Sequence, residues 1–413
     1  MTQSAAAPVA VDPMSAEAIA DLPGLYRKLR DESPVYYYPD YDSFFFSRFE
    51  DVWELLRVGD NTFIATETNL PTPDYLRSHH NAGNPPPLAS TNPMSPGPSL
   101  PSPWYEEMRG AHNTPLKPKS VKRLAGFVED VVDRRLDELL PRGKFDMVRD
   151  FAGFVVASSV CQLFGLPGER AESLLQLVNE TTRPAEDATV DFAHFFKTLK
   201  QYIIPSVLER RAAGADGGNA LIDGLVNYRM PDGRALSDEE IADQLVCVMV
   251  GGVESASKVT GQGIMELWKR PEQLAAVRAD LETNVPIAVN EMVRLGAPAQ
   301  YTFRTAHKDV TVAGQPIRAG QRVVAMLASA ARDEREFENP DEFIWNREIS
   351  RVISFGLGQH HCIGKHLALL EVRIMVQEFL SRVHDFEFVM EESRRNPSYF
   401  QHGWTNLPVV VAG

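Results

Sequence analysis

The chain has 413 residues, of which 44% are hydrophobic, and a formal net charge of −14. That apolar fraction suffices for a buried core and is too low for a protein embedded in lipid, while the acidic balance argues against nucleic acid, which binds basic faces. Three cysteines, Cys161, Cys247 and Cys362, are too few for a disulfide framework and fit a reducing, cytoplasmic setting. No run approaches the roughly 20 apolar residues that span a bilayer. The N-terminal segment lacks the basic start and apolar run of a secretory signal. Residues 1–20 are Ala-rich and read as a frayed or disordered segment before one domain over 21–413. Tyr36 to Phe46, aromatic with Pro and Asp punctuation, predicts a small strand pair. From Pro71 to Pro103 ten prolines fall in 33 residues, a density that predicts no helix or central strand and marks a lid or binding loop.

Beyond residue 104 apolar residues recur at three- and four-residue spacing. This predicts helices over Val121–Leu140, Asp150–Phe164, Ala171–Glu180, Phe192–Ala213 and Ala220–Asn227. Ser237-Asp-Glu-Glu240 is a capping box that opens a helix running to about Lys269, roughly 45 Å at 1.5 Å per residue. Shorter helices follow over Pro271–Asp280 and Val285–Arg294, and Thr302 to Met326 alternates as strands around Gly314 and Gly320. Cys161 and Cys247 sit in apolar helical runs and read as small core residues.

Chemistry concentrates in three places. Phe355-Gly-Leu-Gly-Gln-His-His-Cys-Ile-Gly364 puts one cysteine in a glycine-rich loop ahead of an amphipathic helix, Leu367 to Leu380. A thiolate is a soft iron ligand, the glycines permit tight turns beside something flat, and loop N–H groups can point at the sulfur. In the long helix, Gly251-Gly252-Val253-Glu254-Ser255 pairs two glycines with an acid and a hydroxyl. The glycines read either as close helix packing or as bare backbone against a ligand. Ser255 could bond the Gly251 carbonyl and open the helix locally. Glu291 and Arg294 share a helical face at three-residue spacing.

The loop resembles the haem-binding loop of the cytochrome P-450 family, Phe-Gly-x-Gly-x-His-x-Cys-x-Gly. The long-helix segment resembles that family's oxygen-activation motif, with Ser255 where threonine is usual. Glu291-x-x-Arg294 with Arg347 resembles its ion-pair brace, a structural feature. The resemblance implies a mainly α fold with small β-sheets (α+β) and haem b held between the long helix and the cysteine loop. Cys362 is then the axial thiolate and metal ligand. His360, Arg304, Arg109 and Tyr105 are propionate partners, Tyr105 standing in for a histidine, and Phe355, Gly356 and Gly252 also border the cofactor. His361 reads as a surface residue near the thiolate. Glu254 and Ser255 are the catalytic pair that guides protons to dioxygen.

The implied enzyme is a bacterial-type soluble O2-dependent monooxygenase, an oxidoreductase inserting one oxygen atom into a small, mostly apolar organic molecule by hydroxylation or O-dealkylation. Electrons come from a ferredoxin and its reductase, docking near Lys117, Lys119, Lys122 and Arg123, a patch that reads equally as a solvated helix face. A cytoplasmic monomer with no nucleic-acid or membrane partner is expected. Leu88, Val248, Gly251, Ala297, Ala299 and Phe400 are expected around the substrate, together with helices near Phe192–Val207. Rival readings are a peroxygenase, a haem-thiolate sensor or carrier without turnover, and a metal-free helical binding protein.

Overall fold

A computed structural model of the chain describes residues 11–59, 61–65, 67, 71–81, 83–84, 100–182, 192–396, 398 and 400–412. The organising element is the helix Asp238–Trp268, 31 residues long. Its start is set by the reciprocal box: Glu240 N donates to Ser237 Oγ at 3.2 Å and Ser237 N to Glu240 Oε2 at 2.7 Å. Helices Phe154–Phe164, Phe192–Ala212, Leu281–Gly296 and Lys365–Arg382 pack against it. Close approach needs missing side chains. A Cβ at Gly263 would lie 2.4 Å from Met292 Sδ, and one at Gly252 2.7 Å from Val160 Cγ2.

The helix expected over Asp150–Phe164 begins earlier, as a wide π-turn over Met147–Gly153 that passes into the α-helix. Asp146 caps it by accepting from Val148 N and Arg149 N at 3.0 and 2.7 Å. Residues 147–164 are also the one stretch, among the described residues, long and apolar enough to cross a membrane; 78% of that stretch is buried in the core.

The strands read from both ends of the sequence join in one sheet. Val35–Tyr38 pairs antiparallel with Ser43–Phe46, which runs parallel to Arg322–Met326 in the register Ser43↔Arg322. Tyr301–Ala306 follows antiparallel, and Phe63–Ile64 closes the edge. A three-stranded sheet of Lys144–Asp146, Pro408–Val411 and Phe386–Phe388 and a hairpin of Arg394–Arg395 with Trp404–Asn406 bring the C-terminus back onto the helices.

Two expectations are corrected. Part of the N-terminal segment is ordered: Ala16–Ala20 is helical under a Ser15 cap, with Met14 and Ala18 buried against the sheet. The proline-rich stretch does hold a helix, Pro73–Ser78, because proline is tolerated in a first turn, and Thr72 Oγ1 caps it by accepting from Tyr75 N at 3.1 Å. Residues 1–10, 82 and 85–99, including Leu88, lie outside the described residues.

Glu291, fully buried, is the hub of the brace. Arg294 reaches it through Nε and Nη2 at 2.6 and 2.8 Å, Arg347 Nε at 3.1 Å, and Ile344 N at 3.0 Å. Arg294 spends its remaining donors on the carbonyls of Ala331, Pro340 and Glu342. Glu291→Gln leaves two buried guanidinium groups uncompensated and is expected to cost about 3–5 kcal/mol in chemical unfolding. Burial pushes Glu371, on the helix Lys365–Arg382, up to about 8, against a hydrogen bond from Ser159 that lowers it. A raised carboxyl contributes stability that is full below its unfolded value and is lost as pH rises towards 8. Glu371→Gln should therefore flatten the fall of Tm between pH 5 and 8.

Candidate active site

Cys362 lies at the start of the helix Lys365–Arg382, where unpaired backbone N–H groups favour negative charge. The N–H groups of Gly364 and Lys365 are directed at its sulfur. Cys362 is exposed into the site yet ringed by protein, so burial raises its thiol while those N–H groups and the charges of Arg109 and Lys365 lower it. The loop is drawn in by Cys362 N donating to Phe355 O at 2.7 Å. Gly356 and Gly358 both take φ of +67°, and a Cβ at Gly358 would strike Leu56 O at 2.8 Å.

The helix Trp104–His112 supplies the adjoining wall. The Tyr105 ring stacks on His360 at 4.1 Å, and its hydroxyl accepts from Arg109 Nη1 at 2.6 Å. Arg109 Nη2 donates to His361 O at 2.7 Å. His361 is exposed, with Nε2 3.3 Å from Arg109 Nη2 and Nδ1 3.0 Å from Gly358 O. Burial, then the charges of Arg304 and Arg109, holds His360 down at about 3. Arg304, on strand Tyr301–Ala306, donates only to Thr302 Oγ1 and Phe303 O, at 2.9 and 2.6 Å. No carboxylate reaches it among the described residues, and burial pulls it down to about 10. A 170 Å³ cavity lies between Arg304, Thr302, Gln359, His360 and Arg57. A half-buried guanidinium with no carboxylate beside it among the described residues, next to a second arginine and a histidine, is a place for anionic groups. The two propionates of a haem fit it.

On the long helix, positions 251, 254, 255 and 258 share one face at three- and four-residue spacing. A Cβ at Gly251 would meet nothing within 4 Å, so this glycine leaves open space, as expected. Gly252, expected to border the cofactor, faces Val160, so the packing reading holds for it. Ser255 does not bond the Gly251 carbonyl, and the helix runs without a break from Asp238 to Trp268. The back-bonding hydroxyls are Ser257, to Glu254 O at 2.8 Å, and Thr260, to Ala256 O at 2.9 Å. Glu254 is buried and bound to Lys258 Nζ at 2.5 Å. Lys258 carries a signal that sequence reasoning passed over, its four-residue spacing from the acid.

Of the expected substrate residues, Val248, Ala299 and Phe400 are partly open, whereas Ala297 is 3% exposed and belongs to the core beside the sheet. Phe400 O accepts from Gln300 N at 2.9 Å, which holds it beside the segment Ala297–Tyr301. A separate 480 Å³ cavity opens between Phe192–Ala212 and the long helix, walled by Phe196, Ile204 and Val246, with the ion pair Lys200–Asp243 at 2.5 Å. Two further tethers were not legible in the sequence: Gln359 Nε2 and Ser102 Oγ both donate to Glu106 Oε1 at 2.6 Å, tying the cysteine loop to the helix Trp104–His112.

The fold and this site define a protein built around a thiolate-ligated flat cofactor with two acidic arms. The family model for Cytochrome P450 matches residues 173–409. A methyl-branched lipid omega-hydroxylase of Mycobacterium tuberculosis is 28% identical, over 94% of this chain and 90% of that protein. Cytochrome P450-terp of a Pseudomonas species is 29% identical over 75% of each chain. The solved structure of cytochrome P450 CYP109Q5 from Chondromyces apiculatus superposes with a TM-score of 0.80 at 25% identity, covering 97% of this chain and 98% of that one. The chain belongs to the cytochrome P450 family, and its cofactor is haem b with a cysteine thiolate ligand. Arg304→Leu is expected to speed haem loss to excess apomyoglobin by about 10–100-fold, the equivalent of the ~1.5–3 kcal/mol of a charged hydrogen bond.

Proposed function

We propose that this cytochrome P450 monooxygenase uses Cys362 as its axial thiolate and oxidises a small, mostly apolar organic molecule by hydroxylation or O-dealkylation. One observation carries the reading: a single cysteine, with two N–H groups aimed at its sulfur, opens onto a site that also gathers Arg109, Arg304 and His360. Thiolate-ligated haem supplies, when bound, the activation of dioxygen and the transfer of one of its atoms to the substrate.

The protein's residues do the rest. The N–H groups of Gly364 and Lys365 temper the electron donation of the sulfur. Arg109, Arg304 and His360 hold the propionates, and the stacked Tyr105 keeps His360 and Arg109 in place. Phe355 and Gly356 shape the turn that presents Cys362. Glu254 and Ser255 Oγ guide protons into the site. The Ser255 hydroxyl bonds no described residue, so it is available to a donor or acceptor in the site. Val248, Gly251, Ala299 and Phe400 surround the substrate. Their apolar character, with a relative that is a lipid omega-hydroxylase, favours hydrocarbon-rich molecules.

Electrons come from a separate ferredoxin and its reductase. Lys117, Lys119, Lys122 and Arg123 are all exposed, with no acid paired to them among the described residues. Their short helix Pro118–Val121 packs on the helix that starts beside Cys362. A cationic face there would speed encounter with an acidic carrier.

The test is spectroscopic first. The reduced, carbon-monoxide-bound protein is expected to absorb at the strongly red-shifted position of thiolate-ligated haem, and Cys362→Ser to lose it. A compound panel read by substrate-induced change of the haem spectrum, followed by product analysis with a ferredoxin and reductase, then tests the substrate class. Shifts by acidic or peptide-like compounds alone would overturn the apolar reading.

A further inference from the structure

The long helix carries a second buried charge beside its acid. Lys258 and Glu254 are each 1% exposed, and Lys258 Nζ donates to Glu254 Oε1 at 2.5 Å. The same ammonium donates to Gln401 Oε1 at 2.9 Å. Its stem is clamped by backbone: a Cβ at Gly403 would lie 3.0 Å from Lys258 Cδ, and Gly403 takes φ of +141°, where other residues are strained. The residues that grip Lys258 belong to the C-terminal hairpin. That hairpin is stitched to the segment Ala297–Tyr301 through Gln300 N to Phe400 O at 2.9 Å, His402 N to Pro298 O at 2.8 Å and a bridge between Ala299 and Gln401. Arg395, 3.1 Å from His402 Nε2 and itself acted on by Glu266, and Arg332, with Lys258, help burial hold His402 neutral.

We propose that Lys258 is a positioning residue for proton delivery: it holds the Glu254 carboxylate along the helix, and Gln401 ties that hold to the hairpin and segment beside the substrate. In a low-dielectric interior an ammonium at hydrogen-bond distance fixes the direction of a carboxylate. Glu254 shares its helical face with Gly251 and Ser255, so the direction set by Lys258 decides how far the acid stands from the Ser255 hydroxyl. This inference rests on the reading of Glu254 as the proton-carrying acid.

The test compares Lys258→Met, Lys258→Arg, Glu254→Gln and Glu254→Gln/Lys258→Met in the haem-loaded protein with a ferredoxin, its reductase and a turned-over substrate. Lys258→Met is expected to lower product formed per reduced nicotinamide roughly tenfold, less than the ~10²–10⁴ of a lost general acid, with hydrogen peroxide released instead. Lys258→Arg is expected to restore most of the coupling. Turnover driven by added hydrogen peroxide, which brings its own protons, should stay within about twofold of the parent. A second readout needs no turnover: Lys258→Met and Glu254→Gln should each lower Tm, and the double variant should recover part of the sum. Additive Tm losses, or equal loss of oxygen- and peroxide-driven product in Lys258→Met, would overturn the proposal. Coupling intact in Glu254→Gln would sink the role of Glu254 itself, whereas uncoupling there with Lys258→Met unaffected would sink the role of Lys258 alone.

Discussion

The loop Phe355–Gly364 has little regular structure of its own, so the position of Cys362 depends on bonds that arrive from elsewhere. Cys362 N is drawn to Phe355 O, Arg109 grips the His361 carbonyl, and Gln359 is fastened to Glu106. The Tyr105 ring under His360 adds a flat contact at 4.1 Å. All but the first of these ties run between the loop and the helix Trp104–His112, more than 240 residues apart in sequence, as the Gln359–Glu106 separation of 253 shows. The sulfur can thus be offered in one place only while the helix bundle is closed.

Around this loop the protein keeps three sets of buried or half-buried charge, and they differ in how each is compensated. Glu291 is saturated by Arg294, Arg347 and a backbone N–H, which leaves no capacity for chemistry and makes it a brace. Arg304 is nearly the reverse, with only a hydroxyl and a carbonyl for hydrogen-bond partners among the described residues and a pKa depressed by its surroundings. Glu254 with Lys258 lies between these cases, paired and buried on the face of the long helix that also carries Gly251 and Ser255. Compensation is complete in the first, without a carboxylate in the second, and confined to one helix face in the third.

Much of the architecture was legible because its signals are local. The helix of 31 residues announces itself by Ser237 and Glu240 and by sustained apolar spacing, and the structure differs at its ends by a residue or so. The Cys362 loop is a contiguous pattern, so its turns and the helix after it followed directly. The helices Leu22–Glu32 and Phe49–Arg57 were not read, because both are short and lie in aromatic, proline-punctuated sequence that resembles strand and turn. Pro73–Ser78 was misread for a related reason: proline density was counted without asking whether a proline stood in a first turn. At the site, Gly251 and Gly252 look alike in sequence, yet one faces open space and the other Val160.

By itself the amino-acid sequence determined the period of each helix, the turn chemistry of the cysteine loop, the acid–hydroxyl spacing of Glu254 and Ser255, and the pairing of Glu291 with Arg294. All of these act over a few residues, where backbone geometry and side-chain type suffice. Tertiary structure alone decided that Ser43–Phe46 would lie parallel to Arg322–Met326, that Tyr105 would stack on His360, and that Gln401 would reach Lys258 from 143 residues away. Such contacts depend on which faces remain to be covered once every helix has buried its own stripe, and no short window of sequence contains that information. The cysteine loop stands on both sides of this division: its residues declare a thiolate ligand, and only the closed bundle brings Arg109 and Arg304 to its side.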